Sequence, residues 1–288
     1  MNIHFKRVIV IGCGNIAVNV LKYAFENSEK YGYDTEFVEY GKQEFSSVKR
    51  YAVEHRLAFD IIKKKEDMLP FFIGKADERL LIISAGNFYL FPKELIDNEN
   101  VKIINFHNAL LPDYPGRNAE SWVIYENQKV TGITWHYVNE NIDDGSIIIQ
   151  KSCDIGKNIK AYELSKLLMD LAFEAFVECF AEILTDSVVA KPQQRSKEAK
   201  VYKSFEVPGD AYFNLDDGAE SIYCLLRALD YGKNRVFPMA TTKYQGENIR
   251  IKRYKIVDEK NLLEMDKRLY LELKDGKFLM LFYEIIDS

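Results

Sequence analysis

An α/β fold, a mostly parallel sheet followed by a small α+β unit at the C-terminal end, is predicted by three features of the 288-residue sequence. Short runs of apolar and β-branched residues alternate with longer stretches of helical spacing through the first two thirds, the pattern of a sheet with helices on its faces. The first run enters a glycine turn that opens a helix, VIVIGCGNIAVNVL from Val8 to Leu21, as in Rossmann-like sheets. From about Thr185 the chain becomes polar, with two prolines and several lysines, which reads as a linker.

The strands and helices follow in order. RVIVIG, DTEFVEYG, AFDIIKK, ERLLIISAG and NVKIINFH have strand composition, while AVNVLKYAFENSEKYG and SVKRYAVEHRL have helical spacing. KVTGITWHYV and GSIIIQKSCDI read as two more strands around a loop, and Ala161 to Leu184 as a long closing helix. These assignments give a first domain over 1–185, a linker over 186–208 and a C-terminal domain over 209–288. In the last, DDGAESIYCLLRALDYG is a helix stopped at Gly232, and strands follow with a KDGK hairpin turn.

A net charge of −5 argues against a surface-wide field for nucleic acid or anionic membrane. Residues 187–288 hold 18 Lys and Arg against 16 Asp and Glu, and IRIKRYK carries four cations on what reads as a solvated edge strand. Cys13, Cys153, Cys179 and Cys224 form no C-x-x-C pair, so neither a metal site nor a disulfide framework is expected. The N-terminus enters a strand directly and no run approaches 18 apolar residues; a cytoplasmic protein without membrane partners is expected.

The turn fits the dinucleotide pattern G-x-G-x-x-A through Gly12, Gly14 and Ala17, with Glu36 and Glu39 near the place of a ribose-binding acid. It equally fits a strand-to-helix turn that needs glycine for geometry. A nicotinamide-dependent oxidoreductase is therefore one alternative, testable by nicotinamide titration.

Stronger chemistry lies between Ile104 and Gln150. Asn105 and His107 alternate at the end of an apolar strand and share a face. Pro112, Pro115 and Gly116 then impose a rigid turn, and about 30 residues on, Asp143, Asp144 and Gly145 occupy a loop between strands. Asn, His and Asp together suit acid/base chemistry with a carboxamide stabilising an oxyanion. His4, His55 and His136 have no such company and read as structural.

NFHNALLPDYPG followed by GITWHYVNENIDDGSIIIQ resembles the signature of the folate-dependent formyltransferases, N-x-H-x-S-L-L-P and then D-x-G. The resemblance covers about residues 6–184, places the D-x-G aspartate at Asp143, and departs only in Ala109 for serine. It implies the formyltransferase fold and transfer of a formyl group from 10-formyltetrahydrofolate to an amine without a metal. His107 and Asn105 would stabilise the oxyanion, and Asp143 would orient His107, raise its pKa and accept the amine's proton. SAGNFYLF (Ser84 to Phe91) and the stretch after Val138 would hold the pterin, through Asn87, Leu90, Asn139 and Glu140.

On the acceptor side the resemblance implies that Gly12 and Gly14 lie beside a phosphate or carboxylate, with Arg117, Asn118 and Trp122 as further contacts. The part after Ser221 resembles the C-terminal extension of methionyl-tRNA formyltransferases and of formylating domains in peptide-assembly enzymes. The weak basic bias there favours a small amine: a nucleotide-linked amino sugar, or an aminoacyl or hydroxylamine intermediate of secondary metabolism. Methionyl-tRNA and water, as in formyltetrahydrofolate hydrolases, are the alternative acceptors; a hydrolase is expected to carry a further domain in front. The C-terminal strands could pair within the chain or form a homodimer.

Overall fold

The computed structural model describes residues 4–41, 46–194, 200–260 and 267–286. Its elements run β1 (Arg7–Gly12), α1 (Gly14–Tyr31), β2 (Asp34–Tyr40), α2 (Ser47–Glu54), β3 (Ala58–Ile62), α3 (Lys65–Ile73), β4 (Leu80–Ala85), α4 (Lys93–Ile96) and β5 (Val101–His107). There follow α5 (Ala119–Tyr125), β6 (Val130–Tyr137), β7 (Ile147–Asp154), α6 (Ala161–Leu184), α7 (Ala219–Leu229), β8 (Thr241–Tyr244), β9 (Glu247–Val257), β10 (Arg268–Glu272) and β11 (Phe278–Ile285). Contacts divide the chain into two compact units that interleave in sequence. The first comprises 1–116, 132–153 and 167–201, the second 117–131, 154–166 and 202–288.

The first unit is built on a seven-stranded sheet of order β3-β2-β1-β4-β5-β6-β7. The pairs from β3 to β5 are parallel and β6 runs antiparallel to β5. Val8 to Ile11 and Leu80 to Ile83 are wholly buried, as the continuous apolar runs of a two-sided parallel sheet require. One face packs Ile9, Ile11 and Ile82 against Met68 and Phe72 of α3. In another part of the core Trp135 is sealed against Phe176 of α6, and its indole N–H donates to the Ala172 carbonyl at 2.9 Å. Because β1, β4 and β5 are parallel, Gly12, Ala85 and His107 end on one edge, where open α/β sheets carry their sites.

Three helices, α3, the short α4 and α5, were not expected from the sequence. In α3, Pro70 lies in the helix interior, where proline normally breaks the pattern; buried Met68 and Phe72 hold it in place. α5 follows the proline-rich turn directly, entered through Asn118 in the left-handed region at φ 56°.

The second unit holds α5, α7 and a four-stranded sheet of order β10-β11-β9-β8. The KDGK turn forms as expected, with Leu273 and Lys277 paired and Gly276 at φ 79°. The expected edge strand is corrected: β9 lies between β11 and β8 because TTKY folds back on it through Gln245 and Gly246. Of its four cations, Arg250 and Lys252 pair with Glu284, and Arg253 lies over the Phe282 ring.

Candidate active site

At the C-terminal edge of β5, Asn105 and His107 converge with Asp143 and His136. Antiparallel register sets Asn105 opposite His136, and parallel register sets it beside Ser84 of β4. The Ser84 hydroxyl donates to Asn105 Oδ1 at 2.7 Å, which fixes the amide so that Nδ2 faces His136 Nε2 at 3.2 Å and Asp143 Oδ1 at 3.5 Å. His136 Nδ1 lies 2.7 Å from the Tyr137 carbonyl; a carbonyl only accepts, so Nδ1 carries hydrogen, while Nε2 faces Asn105 Nδ2 and, at 3.5 Å, Asp143 Oδ1. His136 thus touches the cluster, company that its neighbours in sequence did not reveal.

His107 is 4% exposed. Its Nε2 lies 2.8 Å from the Tyr114 carbonyl and its Nδ1 3.4 Å from Asp143 Oδ2. Both nitrogens face acceptor oxygens, an arrangement matched when both carry hydrogen. Burial alone would push the Asp143 carboxyl up. The charge of His107, the bond and charge of His136 and the Gly116 N–H at 2.7 Å outweigh it and hold Asp143 well below the usual carboxylate range.

Backbone devices hold these side chains. The turn after β5 presents the Tyr114 carbonyl and the Gly116 amide from residues with φ of 54° and 102°. The Thr134 hydroxyl pins its start, donating to the Ala109 carbonyl and accepting from the Leu111 amide and from Gln150. Asp143 itself sits at φ 50°, a conformation aspartate tolerates. A Cβ on Gly145 would fall 1.8 Å from the Tyr137 carbonyl oxygen, so only glycine lets the loop return so closely. From the segment expected to be a linker, Gln193 Nε2 donates to the carbonyls of Asp143 and Gly145 at 3.0 and 2.7 Å.

The other sequence-predicted residues fall in three places. Asn87 and Leu90 follow β4, and Asn139 and Glu140 follow β6; Lys93 joins the two loops through Glu140 at 3.1 Å. Asn87 and Asn139 brace their own loops by accepting the amides of Tyr89 and Asn141. Phe88 and Leu90 are each 60% exposed, and Ile142 is 47% exposed. At the glycine turn, a Cβ on Gly12 would strike the Ala85 carbonyl at 1.8 Å, whereas one on Gly14 meets nothing within 4 Å. Arg117, Asn118 and Trp122 belong to the second unit. There the Arg117 amide donates to the Tyr202 carbonyl, the Asn118 carbonyl starts α5, and Trp122 stacks on Tyr202 at 4.4 Å. No group of three or more His, Cys, Asp or Glu suited to a metal occurs among the described residues.

Comparison with known proteins agrees with this architecture. The formyl transferase family model matches residues 48–180. The methionyl-tRNA formyltransferase of Clostridioides difficile is 26% identical over 278 residues, covering 94% of this chain and 86% of that protein. That of Clostridium acetobutylicum is 27% identical over 220 residues, 75% of this chain and 68% of the relative. Among solved structures, an N-formyltransferase from Helicobacter canadensis in complex with folinic acid and dTDP-3-aminofucose superposes with a TM-score of 0.73 at 18% identity, covering 97% of this chain and all of that one. WlaRD, a sugar 3N-formyl transferase, gives 0.71 at 17% identity, covering 97% and 98%. The family model over residues 48–180, the long relatives and the shared fold agree in likening this chain to the formyltransferases.

Proposed function

We propose that this enzyme moves the formyl group of 10-formyltetrahydrofolate to the primary amine of a small biosynthetic intermediate, and that a nucleotide-linked amino sugar is the leading acceptor. The observation that carries the reaction is the buried cluster in which Asp143 faces both His107 and His136 while Asn105 is fixed by Ser84.

The donor fits the loops after β4 and β6. Their side-chain amides are occupied in bracing the backbone, so they offer a flat heteroaromatic ring their main-chain groups and the exposed Phe88, Leu90 and Ile142. Asn87, Leu90, Asn139 and Glu140 are the proposed donor contacts. The bound donor supplies an electrophilic formyl carbon. Its oxygen gains negative charge as the amine attacks, and preorganised donors there lower the barrier. His107 in its charged form and the second N–H of Asn105, held only at 3.5 Å, are the donors this chain places nearby. Asp143, kept ionised far below neutral pH, is a weak base and acts as the charge partner that holds His107 in position. The hydrogen the amine loses balances the one gained by the folate nitrogen.

For the acceptor, the sugar N-formyltransferases match over nearly the whole chain, and two cations of β9 are paired with Glu284. Both support a small nucleotide-linked amine over a polyanion. The near-complete span of the match to the Clostridioides difficile relative favours methionyl-tRNA as the second reading. Gly12, Gly14, Arg117, Asn118 and Trp122 remain the proposed acceptor contacts. Tetrahydrofolate release from 10-formyltetrahydrofolate, followed by absorbance, tests both against a panel of nucleotide-linked 3-amino and 4-amino sugars, N-hydroxyornithine, carrier-bound amino acids and methionyl-tRNA. Release that depends on an amino sugar supports the first reading, dependence on methionyl-tRNA supports the second, and release without any amine refutes the transferase.

A further inference from the structure

A second site lies within the second unit, built from its own residues. A cavity of about 260 Å³ opens there, smaller than the usual pocket for a drug-sized ligand. One face of α7 lines it, with Glu220, Tyr223, Cys224 and Arg227 at helical spacing. Ile155, Ile256 and Leu273 give it apolar walls. Arg227 is 4% exposed and its Nε has no hydrogen-bond partner. The rest of its guanidinium donates to the Ile159 carbonyl at 3.0 Å and to Cys224 Sγ at 3.3 Å, and rests on the Tyr223 ring. None of these partners is an anion.

A buried cation without a carboxylate is costly. Asp230, three residues on, is already held by Lys160 at 2.7 Å, by the Tyr254 hydroxyl and by the Gly232 amide. At the mouth, Lys157 is neutralised by Asp275 at 3.0 Å, whereas Lys129 and Lys274 add charge. Glu220 turns its Oε1 to the Lys274 amide at 2.6 Å. The cavity therefore combines positive charge, an unsatisfied donor in its wall and apolar surface.

We propose that this cavity binds a small organic anion, its carboxylate or phosphate reaching Arg227 and its apolar body packing on Ile155, Ile256 and Leu273. The site is distinct from the Asn105–His107–Asp143 cluster and does not depend on the identity of the formyl acceptor.

Calorimetric titration of the full chain with benzoate and with inorganic phosphate, in a buffer free of other multivalent anions, tests it. Saturable one-to-one binding of either probe, weakened at least tenfold in Lys274→Glu and in Arg227→Met, is the expected result. Lys274 is exposed, so its charge reversal leaves the fold intact, and it decides the matter alone if Arg227→Met does not fold. Benzoate alone identifies a carboxylate on an apolar body, and phosphate alone an inorganic or esterified phosphate. Absence of saturable binding by both probes, or binding that Lys274→Glu leaves unchanged, overturns the proposal.

Discussion

Replacing Asp143 by asparagine keeps the size of the side chain and an acceptor for the Gly116 amide, and removes only the charge. That charge faces His107 Nδ1 at 3.4 Å and His136 Nε2 at 3.5 Å. At an effective dielectric constant of about 20, a unit pair at such a distance attracts by roughly 5 kcal/mol. The cost of burying the carboxylate offsets part of this, and removing one partner of a buried pair typically costs about 3–5 kcal/mol. If about 3 kcal/mol of that is lost where charge develops during formyl transfer, turnover falls on the order of 100-fold. The assay is the initial rate at saturating donor and acceptor, with urea unfolding run in parallel to show that the variant is folded. A folded Asp143→Asn enzyme within about fivefold of the parent would mean that the carboxylate is not the charge partner described.

The depressed pKa of Asp143 makes a second expectation. A carboxylate lowered on folding stabilises the protein fully above its unfolded value, roughly pH 4, and the contribution disappears as pH falls below it; urea midpoints should drop there in the parent and less steeply in Asp143→Asn. His136→Phe removes the contact to Asn105 and should lower turnover roughly tenfold or more, the scale of a lost orienting bond, while His55→Phe, at a ring exposed and stacked on Tyr51, should leave it unchanged. Gly145→Ala forces a Cβ onto the Tyr137 carbonyl and should destabilise the fold by about 3 kcal/mol. Gly14→Ala meets no atom within 4 Å and should cost only about 1 kcal/mol, from its positive φ; urea midpoints distinguish the two glycines.

The alternation of strands and helices was legible above all from β1 and β4, which are buried along nearly their whole length and so carry unbroken apolar runs. Asn105, His107 and Asp143 were legible for a different reason, since two lie in one strand at spacing two and the third precedes a glycine. His136 and Ser84 left no such local trace. Each joins the cluster through strand pairing, and nothing near either residue in sequence reveals that Asn105 lies opposite it. α5 was hidden because proline and glycine precede it and a left-handed asparagine starts it, all features of a loop. The basic strand was misplaced at an edge because TTKY is too short to announce itself as the neighbour that covers it.

The contacts of Gln193 bear on how this enzyme can be shortened. A cut after Leu184 preserves α6 entire and suits a designer seeking the minimal catalytic portion. It also discards Gln193 and the Ile147–Lys191 bridge, the clasp that closes over the aspartate loop from outside. Such a fragment should retain the sheet and still bind its donor through the loops after β4 and β6, yet turn over slowly. Extending it to residue 194 returns the clasp, yet α5 still lacks Tyr202 and Tyr231, which hold Arg117, Trp122 and Glu120, so a full rate requires the rest of the second unit as well.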